Sequence, residues 1–497
     1  MDLEIRDLDG LPLAGRSGTG ARASIAAPKA VAVIGGGFSG LICAIHLLLK
    51  SSRHGPRIYL IERRDSFGVG AAYSTDNPGH LLNTRAANMS VFADRPDHFL
   101  GWLQTRGRAF DGNGASFVSR RIYREYLQEL LRDIACRAEA AGRLYLVPDE
   151  VVAIRPAGGR YNVHLKVGKV LPVDAAIIAT GNPPPHPPDV PEAAFFESSR
   201  YIDDPWHPTA FDAVEPQDTI VILGTGLTMI DAVLSLRLRG HEGPVMALSR
   251  RGLVPRRHAA AATRLVKHTI PALPTRLSMA LRTVRAAIGD ARRAGGNWQD
   301  VVDGLRPHTA AYWQSLPLEA KRRFLRHLRP WWDVHRHRLA PQVADTVKGL
   351  LRDGNLVICR GQLTGVRLDG PPDAPTAAVS WRPAGDTLLY RMTAHHVVNC
   401  MGPGGDPARS NTALIPGLVA AGLARPDRLR LGLDVDRTGR LIGRDSAISA
   451  RLFALGPPTR GIFWEATAVP DIRELAVTVA DAALSALDCP SVAAETA

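Results

Sequence analysis

At 497 residues, with 45% hydrophobic and 22% charged positions, the chain has room for two or three domains and the make-up of an ordinary globular protein. Its five cysteines (Cys43, Cys136, Cys359, Cys400 and Cys489) are scattered and form no C-x-x-C pair, which excludes a disulfide framework and a thioredoxin-type relay. The formal charge of +13 comes with no nucleic-acid-binding motif, so nucleic acid is not expected as a partner. The arginines are read instead as a solvated basic surface, with some of them meeting anionic cofactors or substrates.

Residues 1–29 mix acids, arginines, glycine and serine without an apolar stretch, and read as a disordered tail rather than a signal peptide. Then comes the most informative stretch, Val31-Ala32-Val33-Ile34-Gly35-Gly36-Gly37-Phe38-Ser39-Gly40-Leu41. Small and β-branched apolar residues spell a buried parallel strand. Gly35, Gly37 and Gly40 fit G-x-G-x-x-G, the dinucleotide turn, and a helix runs on from Leu41. The three glycines serve a tight turn, close backbone approach to a pyrophosphate, and close helix–strand packing, and the helix N-terminus offers unpaired N–H groups to phosphate. The run Val31–Leu49 is long enough to suggest a membrane span, but its glycine turn makes it strand–turn–helix. No span is expected, and the protein is read as cytoplasmic. About twenty residues on, Arg57–Glu62 reads as the second strand, ending in the acid expected to bond a ribose hydroxyl, Glu62.

The glycine-rich turn Gly68–Tyr73 and the polar loop Asn77–Thr84, with Asn83, are candidates to wrap the far side of a bound dinucleotide. Asp97–Leu103 looks helical, and a further helix opens after Ser119, a candidate N-cap. Leu144–Val147, Val151–Ile154 and Tyr161–Val167 suggest a small β-meander. It leads into the apolar strand Val173–Ala179 and the Ala-Thr-Gly ending at Gly181, followed by a stiff proline-rich linker, 182–188.

A second strand–turn–helix follows at Thr219–Asp231, with Gly224 and Gly226 but Met229 in the third glycine position. Its next strand, Pro244–Ser249, ends in Arg250 and Arg251 rather than an acid, as suits a site that must accept a 2′-phosphate. Between about 259 and 350 the pattern turns helical (264–294, 297–306, 318–328 and 342–351), an insert suited to covering a substrate pocket or forming an oligomer interface. Its densest polar segment is Trp331–Arg338. His335 and His337 have no further ligands nearby, so no metal is expected, and Arg336 and Arg338 are candidates to hold an anionic substrate group. Short strands at 356–359, 365–368 and 378–381 then lead to His396–Gly402, which mirrors the ending at Gly181. Arg451–Gly456 is one more strand ending in glycine, and Phe463–Arg473 enters the last helix with Pro470 near its first position.

Taken together, Gly35–Gly40, His80–Trp102, Phe117–Leu131, residues 179–181, Gly224–Asp231, Ser249–His258, Trp331–Arg338 and Gly456–Arg473 closely resemble the FAD/NAD(P)-binding flavoproteins whose first domain is called NAD-binding domain 9. That family is related to two-dinucleotide-binding-domain flavin monooxygenases and N-hydroxylases. The resemblance implies an α/β fold of two Rossmann-like domains with a helical insertion in the second. It also implies FAD in the first site (Gly35, Gly37, Ser39, Gly40, Glu62, Asn83, Gly181), NADPH in the second (Gly224, Gly226, Arg250, Arg251), and Gly456 to Pro470 against the flavin, with Trp464 a substrate contact. Where class B monooxygenases carry F-x-G-x-x-x-H-x-x-x-W, this chain has Phe196, Ser198, Ile202 and Trp206, which argues against Baeyer–Villiger chemistry of that kind.

The expected layout is a tail at 1–29, an FAD-binding domain in two parts (30–215 and 391–497), and an NADP-binding domain at 216–390. The expected function is an NADPH-using flavoprotein monooxygenase, N-hydroxylating among the options. It would act on a small polar metabolite and O2 through a flavin C4a-hydroperoxide, with no catalytic acid or base singled out. The alternatives are a reductase serving a quinone or protein acceptor, and a flavin-based redox sensor.

Overall fold

The computed structural model describes residues 28–105, 114–137, 142–259, 272–410 and 412–488. The expected tail up to residue 27, the start of the first insert helix and Cys489 lie outside them. Two parallel-centred sheets organise the chain. The first runs Arg440–Ile442, Ile448–Ala454, Ala175–Ile178, Ala30–Ile34, Arg57–Glu62, Leu144–Pro148 from edge to edge. Its central strands lie in parallel register, with Val33 between Leu60 and Ile177.

Alternation along Ala30–Ile34 divides the core in two. Val31 and Val33 pack under the helices Phe38–Lys50, Arg120–Ala135 and Val469–Asp488. Ala30, Ala32 and Ile34 face a separate layer built from the three-stranded meander Val151–Ala157, Arg160–Leu165, Val170–Val173 and the helix Leu414–Ala420. With both faces covered, a continuous apolar run is what such a strand requires. Leu144–Pro148, expected in the meander, instead closes the edge of the main sheet parallel to Arg57–Glu62. Its short apolar run fits either place, and pairing decided it.

The second sheet runs Tyr390–Ala394, Thr376–Pro383, Leu356–Asp369, Val245–Ser249, Ile220–Leu223, His396–Asn399, Tyr201–Ile202. This moves two strands across the expected domain boundaries. Tyr201–Ile202 and His396–Asn399 pair in the second sheet and not in the first. The proline-rich linker is tied there as well, because Asn399 Nδ2 donates to His186 O at 3.0 Å. Leu356–Asp369 is one 14-residue strand where two short ones were expected. Its first half pairs parallel with Val245–Ser249, and from Gly361 it pairs antiparallel with Thr376–Pro383.

The insert comprises the helices Leu277–Arg293, Trp298–Ser315, Leu318–Arg323 and Arg329–Arg336, with a π-turn at Phe324–Leu328, and Pro341–Arg352 follows. Trp298–Ser315 outruns the expected end at 306 and passes through Pro307. A capping box between Asn297 and Asp300 starts it, and burial of Val301, Val302, Leu305 and Trp313 holds it beyond the proline. Among the described residues, no helix is long and apolar enough to cross a membrane.

Candidate functional site

The first glycine turn shows what each glycine is for. Gly35 has φ +105°, and a Cβ there would lie 2.4 Å from Ala179 O. Gly40 admits the helix so closely that its Cβ would lie 1.8 Å from Gly35 O. These two are demanded by the fold itself. At Gly37 the nearest atom to an added Cβ is Gly70 Cα at 3.3 Å, so the chain's own crowding is far milder there. The helix begins at Gly37 with no side-chain cap and no acid in its first turn, and Ser39 lies within that turn. Its leading N–H groups therefore present a positive end to whatever lies in front.

Beside the turn is an open cleft bordered by Gly35, Glu62, Val151, Thr180, Gly181 and Pro457. Glu62 is buried and turned back on the turn: Oε2 accepts from Gly36 N at 2.8 Å and Oε1 from Arg64 N at 3.1 Å. Each oxygen keeps a lone pair, so a ribose hydroxyl can still donate to it. Gly181 has φ +73° and only open space where a side chain would point. Gly456 has φ +76° and sits so near Ser39 that a Cβ would lie 2.5 Å from its Oγ. A dinucleotide fits this cradle: the backbone of Gly35, Thr180 and Gly181, the acid Glu62 and apolar side chains such as Val151 and Ile415 line it, with Asp149, Glu150 and Asp406 also on its border.

The second turn repeats the first. Gly224 has φ +111°, and its Cβ would meet Cys400 O at 2.3 Å, the counterpart of Gly35 against Ala179. A Cβ on Gly226 would meet nothing within 4 Å, and the residue precedes the helix Leu227–Leu238, again without a side-chain cap or a first-turn acid. At the end of the next strand Ser249 Oγ lies 2.9 Å from Thr225 Oγ1 and accepts from Gly252 N at 3.0 Å. Arg250 is exposed, and no hydrogen bond or ion pair holds it among the described residues. Arg251 is engaged, its Nη2 donating to Arg326 O of the insert at 3.0 Å. The two arginines are therefore not equivalent, and Arg250 is the freer to meet a phosphate.

The insert closes against the C-terminal turn of the first domain. Trp313 packs on Trp464, ring centroids 4.7 Å apart, and its Nε1 donates to Gly461 O at 2.9 Å. Phe324 meets Trp464 edge-on at 5.4 Å, and Arg460 lies over the same indole at 4.6 Å. Trp464 is thereby buried in an aromatic cluster. Beside it Glu465 is 3% exposed, accepts from Trp332 Nε1 at 3.1 Å, and pairs with Arg336 at 3.4 Å. Arg306 pairs with Asp471, in the first turn of the last helix, at 2.7 Å. Pro470, partly buried, is in that same first turn.

Arg336 and Arg338 part company here. Arg338 is buried and spoken for: it pairs with Asp303, donates to Gln299 Oε1 at 2.8 Å and lies by Trp298. Arg336 is also buried, yet its Nε and Nη2 make no hydrogen bond. His337 beside it is pushed down to about 4, by burial first and the Arg336 charge second, and so is neutral at pH 7. Burial likewise brings Arg460 down to about 10. Asn83 stands apart from that cleft, at a small pocket that it shares with Leu82, Arg120, Leu227, Asp231 and Arg338.

Sequence reasoning passed over Arg306, Trp313, Asp427 and Arg460. Asp427 accepts from the backbone N–H groups of Leu429, Leu431 and Gly432 at 2.6–2.8 Å, and a Cβ on Gly461 would strike its carboxyl group. It braces the loop under Pro458. None of the four carries a local motif, and only the packing of insert on turn assigns them a place. Among the described residues no group of three or more His, Cys, Asp or Glu side chains could hold a metal ion.

The fold is that of proteins with two dinucleotide-binding domains, as found in N-hydroxylating flavoproteins. Residues 32–183 match the model of the FAD-NAD(P)-binding family, which covers the first glycine turn, Glu62 and Gly181. The ornithine N-hydroxylase KtzI of Kutzneria sp. 744, solved with reduced FAD, NADP+ and L-ornithine, superposes with a TM-score of 0.65 at 15% identity. That match covers 93% of this chain and 100% of the other. The ornithine hydroxylase PvdA of Pseudomonas aeruginosa gives 0.64 at 15% identity, over 93% and 100% of the two chains. DfoA of Erwinia amylovora, a cadaverine monooxygenase bound to FAD, gives 0.60 at 14%, over 94% and 96%. Among curated proteins, none matches by sequence.

Proposed function

We propose that the protein is an FAD-dependent, NADPH-using monooxygenase that acts on a small polar metabolite, with N-hydroxylation of an amine as the reaction. The observation that carries this reading is the closure of the insert on the Gly456–Arg473 turn through Trp313 and Trp464, Arg336 and Glu465, and Arg306 and Asp471. Oxygen chemistry on a flavin needs shielding from bulk water, and an aromatic and ion-paired cover on this turn supports that reading. A dithiol route has no support: Cys43 and Cys400 are buried, and burial raises both thiols.

FAD held by the first site supplies hydride acceptance from NADPH and the activation of O2. The chain's own part is to bind, orient and shield. The uncapped helix at Gly37 and the acid Glu62 hold the FAD pyrophosphate and ribose, with Gly35, Ser39, Gly40, Gly181, Gly456 and Pro470 shaping the space around it. Gly224 and Gly226 admit the NADPH pyrophosphate, and Arg250 takes the 2′-phosphate. Arg336, whose Nη2 makes no hydrogen bond and whose Nε is only ion-paired with Glu465 at 3.4 Å, is the residue to hold an anionic group of the substrate. Arg338 is too fully engaged for that and braces the insert instead. The neighbours with this fold that act on ornithine or cadaverine support an amine as the substrate.

The test is NADPH oxidation by the FAD-loaded protein with a panel of amino acids and amines under labelled O2. Without substrate, slow oxidation and hydrogen peroxide release are expected. With the right amine, NADPH use should couple to a product carrying one labelled oxygen atom. Rapid anaerobic transfer to a quinone, with no amine ever labelled, would overturn the reading in favour of a reductase.

A further inference from the structure

The loop 80–85 of the first domain is gripped from two sides by the second. On one side His80 Nε2 donates to Asp231 O at 2.9 Å and lies 3.2 Å from Ser235 Oγ, while its Nδ1 lies 2.8 Å from Thr75 Oγ1. Because Asp231 O can only accept, Nε2 carries a proton. On the other side His258 Nε2 donates to Asn83 O at 3.0 Å, and Arg85 Nη2 donates to Ala259 O at 2.8 Å. The grip centres on an ion pair: Arg120 Nη2 donates to Asp231 Oδ2 at 2.9 Å, with only 13% and 9% of the two side chains exposed. Arg120 is fixed from its own side too. Its backbone N donates to His80 O at 2.9 Å and its Nε reaches Leu81 O at 3.4 Å, while from the second domain Trp206 lies against its guanidinium at 5.2 Å.

Asp231 belongs to the helix Leu227–Leu238, which begins at Gly226, and Arg120 begins the helix that Ser119 caps. Across the seam, Arg306–Asp471 is more open, with 21% and 26% of its side chains exposed, and Arg336–Glu465 is drier still at 9% and 3%; Arg120–Asp231 is the buried pair that ties the second glycine-turn helix to loop 80–85. A buried ion pair is a poor stabiliser against an apolar contact, because desolvation offsets the attraction, and its best-attested use is to specify one arrangement. The planar guanidinium suits that use, since it fixes direction as well as charge.

We propose that Arg120 and Asp231 are a positioning pair that sets the second nucleotide turn at working distance from loop 80–85, and so aligns the nicotinamide with the flavin. This rests on the two-nucleotide reading above. In the step served, a hydride leaves NADPH to give NADP+, and the bound flavin is reduced by two electrons. Because the Gly226 turn and Asp231 share one helix, release of Asp231 lets the whole nucleotide drift relative to the first domain. Neither residue touches the reacting atoms.

The experiment is anaerobic stopped-flow reduction of the FAD-loaded protein at saturating NADPH, with hydrogen–deuterium exchange on the same preparations. Arg120→Gln and Asp231→Asn should each lower the limiting rate of flavin reduction by about a hundredfold, the size of loss that a displacement of about 1 Å causes. NADPH affinity should stay within about twofold, FAD content should stay full, and Arg120→Lys should recover part of the rate, as the charge is kept. Amides of 80–85 and 227–235 should exchange faster in the slow variants, with the first sheet unchanged. An unchanged limiting rate, or a loss confined to NADPH affinity, overturns the proposal. Loss of FAD from both variants also overturns it and makes the pair a folding element. If the wild-type protein holds FAD but NADPH never reduces it, the two-nucleotide reading itself falls, which is a different result from a failure of the pair.

Discussion

The two glycine turns are built on one plan and finished differently. Gly35 and Gly224 share a positive φ (+105° and +111°) and the same close approach to a strand-end carbonyl, Ala179 O and Cys400 O. This common part is what a chain must do to turn sharply from a buried strand into a helix beside its parallel neighbour. The differing parts face outward or concern packing. In the first turn Gly40 lets the helix sit against the strand, whereas Met229 is fully buried in the matching place and takes up space there. Glu62 ends the second strand of one domain, while Ser249 and the exposed Arg250 end that of the other. Backbone demands are repeated, and ligand demands are not.

The largest effect should come from breaking the backbone part. Gly40→Ala puts a Cβ 1.8 Å from Gly35 O, with no flexible side chain to yield. It should destabilise the first domain by more than about 4 kcal/mol, read as loss of FAD and a collapsed melting transition. Gly37→Val sharpens the contrast, because the chain crowds that position less. The domain should keep a melting transition near that of the wild-type apoprotein while FAD binding is abolished, as checked by flavin absorbance and calorimetry.

The next effect falls on the part that differs between the turns. Arg250→Ala should raise KM for NADPH about tenfold or more and leave KM for NADH nearly unchanged, since a charge-assisted phosphate bond is worth about 1.5–3 kcal/mol. Arg251→Ala should discriminate less, because that side chain is partly engaged with Arg326 O. Equal losses for both nucleotides would make Arg250 structural.

The smallest effect concerns the seam between the two domains. Burial first, and the Arg338 charge second, bring His258 down to about 4, so it stays neutral in the folded protein while the unfolded chain takes up a proton near pH 6.5. With more protons bound in the unfolded state, stability rises with pH across this window, so it falls as pH drops from about 6.5 to 4. His258→Gln should flatten that slope by up to one proton in denaturation curves taken between those values. A variant with the wild-type slope would mean that another buried histidine, such as His46, carries the effect.

How much of this was legible beforehand divides along the range of the interactions. Both glycine turns, the acid and arginine strand ends, the Ser119 cap, which accepts from Arg121 N at 3.3 Å, and the helical insert are set by residues within about a dozen positions of each other, where periodicity and turn chemistry act. The two dinucleotide turns and the insert could therefore be located from sequence alone. The assignment of Leu144–Pro148, His396–Asn399 and Tyr201–Ile202 to their sheets could not, because short apolar strands are ambiguous until their partners are known. Nor could the different fates of Arg336 and Arg338, two residues apart in sequence. Which guanidinium is satisfied depends on Asp303 and Gln299 for one and Glu465 for the other, side chains that only the packing of the insert on the C-terminal turn brings within reach. The same holds for Arg120 and Asp231, 111 positions apart, whose pairing exists only once the two domains have met.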